Sequence, residues 1–206
     1  ALYSDSPDSE VHANCMMDLR MHDSRELLSF LMPGLYIADS TSVTMTLEQD
    51  GSLYGNLYSS RLAYEKNFLK NADLQFDNLG SSLNVILSGS TLKAGDFEVA
   101  NPSVSAYADD NTMELAIAFD EYGSAGGKGE LYVDSRIYRD SLGTLVFKAH
   151  PLESYLKAGG ELWTMGESDI VFTSSELFIR DFNIRNGGQA ILIDGGVSSN
   201  RSDTLR

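Results

Sequence analysis

TMELAIAFD, residues 112–120, is the stretch whose reading decides the fold: Met113, Leu115, Ile117 and Phe119 alternate with Glu114, Ala116, Ala118 and Asp120. A period of two belongs to a strand that keeps one face dry and the other wet. The same alternation runs through Cys15, Met17, Leu19 and Met21, and again through Val43, Met45 and Leu47. Only one short segment carries a helical period, so nothing else in the chain is available to cover a sheet. The dry faces must meet each other or line a groove.

Working outward, strands are expected near 11–21, 41–47, 53–59, 61–65, 70–77, 82–88, 95–99, 103–107, 129–138, 143–149, 152–156, 169–173, 176–184 and 190–198, with a terminal stub at 203–206. Short polar turns separate them, Asp50-Gly51 and Asn186-Gly187-Gly188 being the clearest hairpin signals. The one expected helix starts at a cap on Asp23 or Ser24 with Glu26 completing a capping box. It places Leu27, Leu28, Leu31 and Met32 on one side and stops at Pro33-Gly34. Leu177 and Ile179 share a parity that Phe182 and Ile184 reverse, which predicts a β-bulge near Arg180 and Asp181. Strand after strand through short turns implies an all-β antiparallel meander rather than βαβ units. Residues 11–206 are expected to form one β-rich domain behind a frayed stretch at 1–10, the whole reading as a fragment of a larger protein.

At 206 residues, 42% apolar and 22% charged, the chain has ordinary globular composition. Its net charge of -15 repels phosphate backbones, which argues against nucleic-acid binding. A single cysteine, Cys15, allows neither an intramolecular disulfide nor a thiolate metal site, and its place in an apolar alternation predicts a core position. No run of about 18 apolar residues is present to span a bilayer as a helix.

Tests for chemistry all fail. The glycine-rich segment Gly123–Gly129 has a phosphate loop's look, but its spacing is one residue short, Gly129 stands where Ser or Thr should bind magnesium, and a strand follows. Asp109, Asp110, Asn111 and Glu114 lack an EF-hand's central glycine and twelve-residue spacing. The pair Asp120 and Glu121 shows no cleft by spacing alone. His12, His22 and His150 form no metal pairing, and His150, beside Pro151, reads as a turn residue. No catalytic residue, metal or cofactor is expected, and the chain reads as a non-enzyme. Asn200-Arg201-Ser202 matches a glycosylation sequon that carries no weight. Trp163, the only tryptophan, reads either as core or groove packing or as an exposed platform for sugars.

Two stretches carry a family resemblance. HDSRELLSFLMPGLYIADSTSVTMTLEQDGSLYGNLYSSRLAY, His22–Tyr64, shows a Leu-rich helix, a Pro-Gly stop and paired strands. WTMGESDIVFTSSELFIRDFNIRNGGQAILIDGGVSSNRSDTL, Trp163–Leu205, shows a Trp, a strand, an Asn-Gly-Gly turn and a strand ending in Asp194-Gly195-Gly196. Both resemble internal segments of the large TamB/AsmA-like translocation and assembly proteins, in the form typical of Bacteroidetes. The resemblance implies a periplasmic bridge between the membranes, anchored in the inner membrane by a helix not matched here. Its sheet would curl into an elongated open trough, β-taco-like, that shields phospholipid acyl chains or assists unfolded outer-membrane protein clients. A BamA-like outer-membrane barrel would be the partner of the full-length protein.

On that reading the groove-lining residues are Val43, Met45, Leu47, Leu74, Phe76, Leu83, Val85, Leu87, Met113, Leu115, Ile117 and Phe119. The alternative is a closed β-sandwich in which these residues fill a core and the loops, with Trp163, bind glycan or protein ligands.

Overall fold

The computed structural model describes residues 14–199, apart from 24, 122–126 and 159. The expected frayed start at 1–10, the start of the first strand, Ser24, most of the glycine-rich loop, the sequon and the terminal stub lie outside the described residues. The fold is all-β: sixteen strands in one antiparallel sheet, with one helix near the N-terminus.

The strands follow each other as a meander. β1 (Cys15–Arg20) leads through α1 (Arg25–Leu31) and β2 (Leu35–Ile37) to the hairpin β3 (Ser42–Leu47) and β4 (Leu53–Tyr64). Then come β5 (Asn67–Asp77), β6 (Leu83–Ser88), β7 (Thr91–Ala94), β8 (Phe97–Asp109) and β9 (Thr112–Glu121). β10 (Lys128–Arg139), β11 (Leu145–Pro151), β12 (Ser154–Ala158), β13 (Glu161–Met165), β14 (Asp169–Phe172), β15 (Glu176–Asn186) and β16 (Gln189–Ser198) complete it. β6 with β7, β11 with β12, and β13 with β14 are interrupted halves of single long passes, because the two members of each lie against the same neighbour. β1 pairs only with β3 and β16 only with β15, so these two are the sheet's edges.

A line of irregularities crosses the sheet. On β4 one face holds Leu53, Leu57 and Ser59 and then resumes at Leu62; on β5 it holds Phe76, Leu74 and Ala72 and resumes at Leu69. The passes β6–β7 and β8 do the same, Leu87 giving way to Leu92 and Val104 to Val99. The chain absorbs the missing step at Ser60, Asn71, Gly89-Ser90 and Asn101, the last marked by a register shift between Ala100 and Ser103. The line continues through Leu152-Glu153, Gly166–Ser168 and Asp181, where the register shifts between Ile179 and Phe182 as expected. Strand β9 has no slip, and Phe97 meets its Phe119 edge to face at 5.6 Å, so the resumed residues are on the same face as before.

Each slip is a β-bulge that costs a ladder position and is held by local hydrogen bonds. Asn71, Asn101 and Asp181 take φ of 49°, 48° and 57°, left-handed values that Asn and Asp tolerate best among residues with a side chain. Asn71 Nδ2 donates to Ser90 Oγ (3.0 Å), Asn101 N to Ser90 O (3.1 Å) and Ser90 N to Lys70 O (2.9 Å). Thr41 and Ser59 share a hydroxyl bond of 2.6 Å, and Ser154 Oγ accepts from Tyr132 N (3.1 Å) and donates to Leu152 O (2.9 Å). Of the buried polar residues Thr41, Ser59, Thr91, Ser135, Ser154 and Ser168, all but Ser135 lie along this crease, together with the fully buried Ala72 and Val99. The crease is the most protected part of the sheet.

The structure corrects several expectations. The strands expected at 53–59 and 61–65 are one strand, β4, and those at 95–99 and 103–107 are one strand, β8. A change of parity inside a strand mimics a boundary when read from sequence. Strands β2, β7 and β13 have too few residues to show a period. Cys15 is exposed on edge strand β1, because nothing among the described residues covers that edge. His150 is a residue of strand β11 paired opposite Asp134, not a turn residue, since the chain continues in register to Pro151. The helix leaves Phe30 and Leu31 84% and 66% exposed and packs chiefly beside β2 rather than over the sheet.

A test of the crease follows from its backbone. Asn71→Ala puts a Cβ without polar compensation in a left-handed conformation and removes the bond to Ser90, and should weaken amide-exchange protection in β5 and β7 by about 1–2 kcal/mol. Asn71→Gly should cost less, because glycine is at ease there.

Candidate functional site

Residues directly opposite across antiparallel strands point to the same side of a sheet. Met17, Met45, Gly55, Phe76, Val85, Ala106, Leu115, Val133 and Pro151 form one such row, strand by strand. The row of Leu19, Val43, Leu57, Leu74, Leu87, Val104, Ile117 and Leu131 lies beside it. All twelve residues expected to line a groove fall on this one face: Val43, Met45 and Leu47 on β3, Leu74 and Phe76 on β5, Leu83, Val85 and Leu87 on β6, and Met113, Leu115, Ile117 and Phe119 on β9. Beyond β10 the face continues with Phe147, Ala149, Ile170, Phe172, Leu177, Ile179, Ile193 and Val197. Its charged members Arg139 and Glu161 stand at strand ends.

This face is only partly withdrawn from solvent. Of the described apolar side chains only Ala38, Ala72, Val99, Val146 and Ala149 are buried, none larger than valine. Eleven of the twelve expected lining residues are half-buried, and Leu83 is exposed. A closed sandwich of this size would bury Leu, Ile and Phe fully between its layers. Here one creased sheet leaves its apolar side open.

On that side lies a groove of about 560 Å³, walled by Phe97, Ile117, Phe119, Leu131, Leu156, Trp163, Met165, Ile184 and Ile191. It lies between the crease and the β15–β16 turn. Only Ile117 and Phe119 of the twelve expected residues reach it. The other walls come from Phe97 on β8, Leu131 on β10, Leu156 on β12, Trp163 and Met165 on β13, and Ile184 and Ile191 on β15 and β16. Trp163 is a groove wall, opposite Leu156.

Glycines make the close approaches possible. A Cβ on Gly129 would sit 2.9 Å from Phe119 Cζ and 3.0 Å from Tyr155 O, and one on Gly55 would sit 2.9 Å from Phe76 Cζ. In each case a phenyl ring lies down over the strand where the neighbour has no side chain.

The opposite face holds most of the ionisable groups, with Met16, Ile86, Leu162, Phe178 and Leu192 exposed among them. Glu130 accepts from the hydroxyls of Tyr132 and Tyr155, each at 3.1 Å. Tyr132 titrates above an ordinary phenol, chiefly through its bond to Glu130; Tyr155 does so through desolvation and then the same carboxylate. Asp169 Oδ1 receives Lys148 Nζ at 3.0 Å and His150 Nδ1 at 2.9 Å. The bond from Lys148 is the largest influence on the Asp169 carboxyl; burial opposes it, and the bond from His150 helps to hold the group below the usual range. Asp120 pairs with Lys128 at 3.6 Å and Asn101 at 3.3 Å on this polar side. No group of three or more His, Cys, Asp or Glu suited to a metal occurs among the described residues.

No protein-family model, curated protein or solved structure matches this chain. Its reading rests on the geometry just described.

The ion pair at Asp169 gives a pH test. A carboxyl with a lowered pKa stabilises the fold fully above its unfolded value near 3.8, and the contribution is lost as pH falls through the lower folded value. Asp169→Asn should therefore cost up to about 1 kcal/mol at pH 7. The gap between wild type and variant should close in acid, as read by thermal melting from pH 7 downwards.

Proposed function

We propose that this chain is a segment of a lipid-shielding bridge, working as a passive apolar trough without chemistry. The observation that carries the reading is the single, mainly apolar face that runs from β1 to β16, with Arg139 and Glu161 only at its strand ends, and remains half open along its length. A sheet that exposes so much apolar surface on one side is built to be covered by something else. An acyl chain laid on it leaves water at about 0.8 kcal/mol per methylene and brings no polar group with it. An unfolded polypeptide would bring N–H and C=O groups to a face whose own backbone is already paired, and those groups would go unsatisfied. Hydrocarbon is thus the better occupant, ahead of an unfolded outer-membrane protein client.

The creased meander also suits the TamB/AsmA-like architecture resembled by His22–Tyr64 and Trp163–Leu205. Within this proposal the full-length protein is periplasmic and anchored in the inner membrane, and contact with a BamA-like barrel is made outside this segment. The glycan- or protein-binding sandwich loses its support, because it needs a closed core with Trp163 presented by loops, whereas Trp163 walls the open groove.

The test is lipid carriage. Purified from a Gram-negative host, the chain should yield phospholipid to solvent extraction and mass spectrometry. Ile117→Arg should lose that lipid while keeping its far-UV circular dichroism and most of its melting temperature, because on an open face the long side chain reaches water. A wild type free of lipid, or a variant that unfolds as a closed core would, overturns the proposal.

A further inference from the structure

The walls of the groove set its capacity. A cavity of about 150 Å³ holds one benzene, which allots roughly 25 Å³ to each carbon. At about 560 Å³ the groove then accommodates roughly twenty carbons. That is close to the length of one membrane acyl tail and well short of two.

The part that fixes this bore is Phe119. Its ring leans into the space left by Gly129, whose missing Cβ would be 2.9 Å from Phe119 Cζ. Phe97 holds it from the other side, with ring centroids 5.6 Å apart and planes at 85°. A Cβ on Gly127 would be 3.3 Å from Phe97 Cε2 and 3.5 Å from Phe119 Cε2, so the two rings fill the floor as a unit. Leu156 and Trp163 continue the same row on the far side of Gly129.

We infer that the groove takes a single hydrocarbon chain at a time, and that Phe119, seated on Gly129, sets that limit. The inference rests on the shielding role proposed above and narrows it. A diacyl lipid would lodge one tail here and carry the other along the neighbouring part of the face.

The sole tryptophan reports on the site directly, because Trp163 is one of its walls. The chain, stripped of lipid, is titrated with zwitterionic lysophosphatidylcholines brominated in mid-chain, at concentrations below micelle formation. Quenching of Trp163 should saturate at one lipid per protein. Affinity should climb by up to about fourfold per added methylene until the groove is full and then level off. Phe119→Ala should move the levelling point to longer chains by roughly six carbons, the number in the ring removed. Should that variant fail to fold by circular dichroism, Phe119→Leu takes its place, with a smaller shift expected in the same direction. Saturation at two or more lipids per protein overturns the single-chain limit, and a levelling point unmoved in a folded variant overturns the role of Phe119; both leave the shielding role standing. Absence of quenching by every chain length removes the shielding role itself.

Discussion

Everything in this molecule depends on reconciling two demands on one strand: its backbone must stay paired with both neighbours, and its apolar side chains must stay on one side. A straight strand meets both at no cost, but strands of 11–13 residues such as β4, β5, β8 and β15 accumulate twist and bend. Bulges supply the bend at the cost of one step in phase, and the sequence answers by shifting its apolar residues one place. Leu62, Leu69 and Val99 are out of parity with the rest of their own strands, and Leu92 with β6 on the same pass, and all are in place on the face. The crease and the displaced leucines are therefore one feature seen in backbone and in sequence.

The polar residues of the crease follow from the same demand. A bulge removes a residue from the ladder, and its freed groups need partners where water is scarce. Short hydroxyl and amide side chains provide them: Ser59 with Thr41, Asn71 with Ser90, Ser154 with Tyr132 and Leu152. A protein whose apolar side chains are mostly half-exposed thus has its best-protected region in a line of serines, threonines and small apolar residues.

Much of this was legible in the sequence. The alternation at 112–120 and 43–47 gave the right face for every residue assigned to it, because a period of two needs no tertiary context. The bulge at Asp181 was readable because four large apolar residues flank it. The bulges at Asn71 and Asn101 were not, since Ala72 and Ala100 beside them are too small to declare a side; the strand around Asn101 read as two short ones and that around Asn71 as one starting only at 70. Cys15 shows the opposite error: its period was read correctly, but burial depends on a covering layer that periodicity cannot supply. The groove walls from β12 and β13 escaped notice because five residues are too few to show a period, although Trp163 stood out by type.

Each strand of the meander leans only on the strands next to it. In such a quasi-one-dimensional array stability is a sum of local terms, as in a solenoid, and loss of one end need not propagate to the other. Unfolding should therefore lack a single all-or-none transition, with the edges β1 and β16 opening well before the crease-bound middle. A damaged strand would leave the rest of the apolar path standing, a form of fault tolerance that a closed core does not offer.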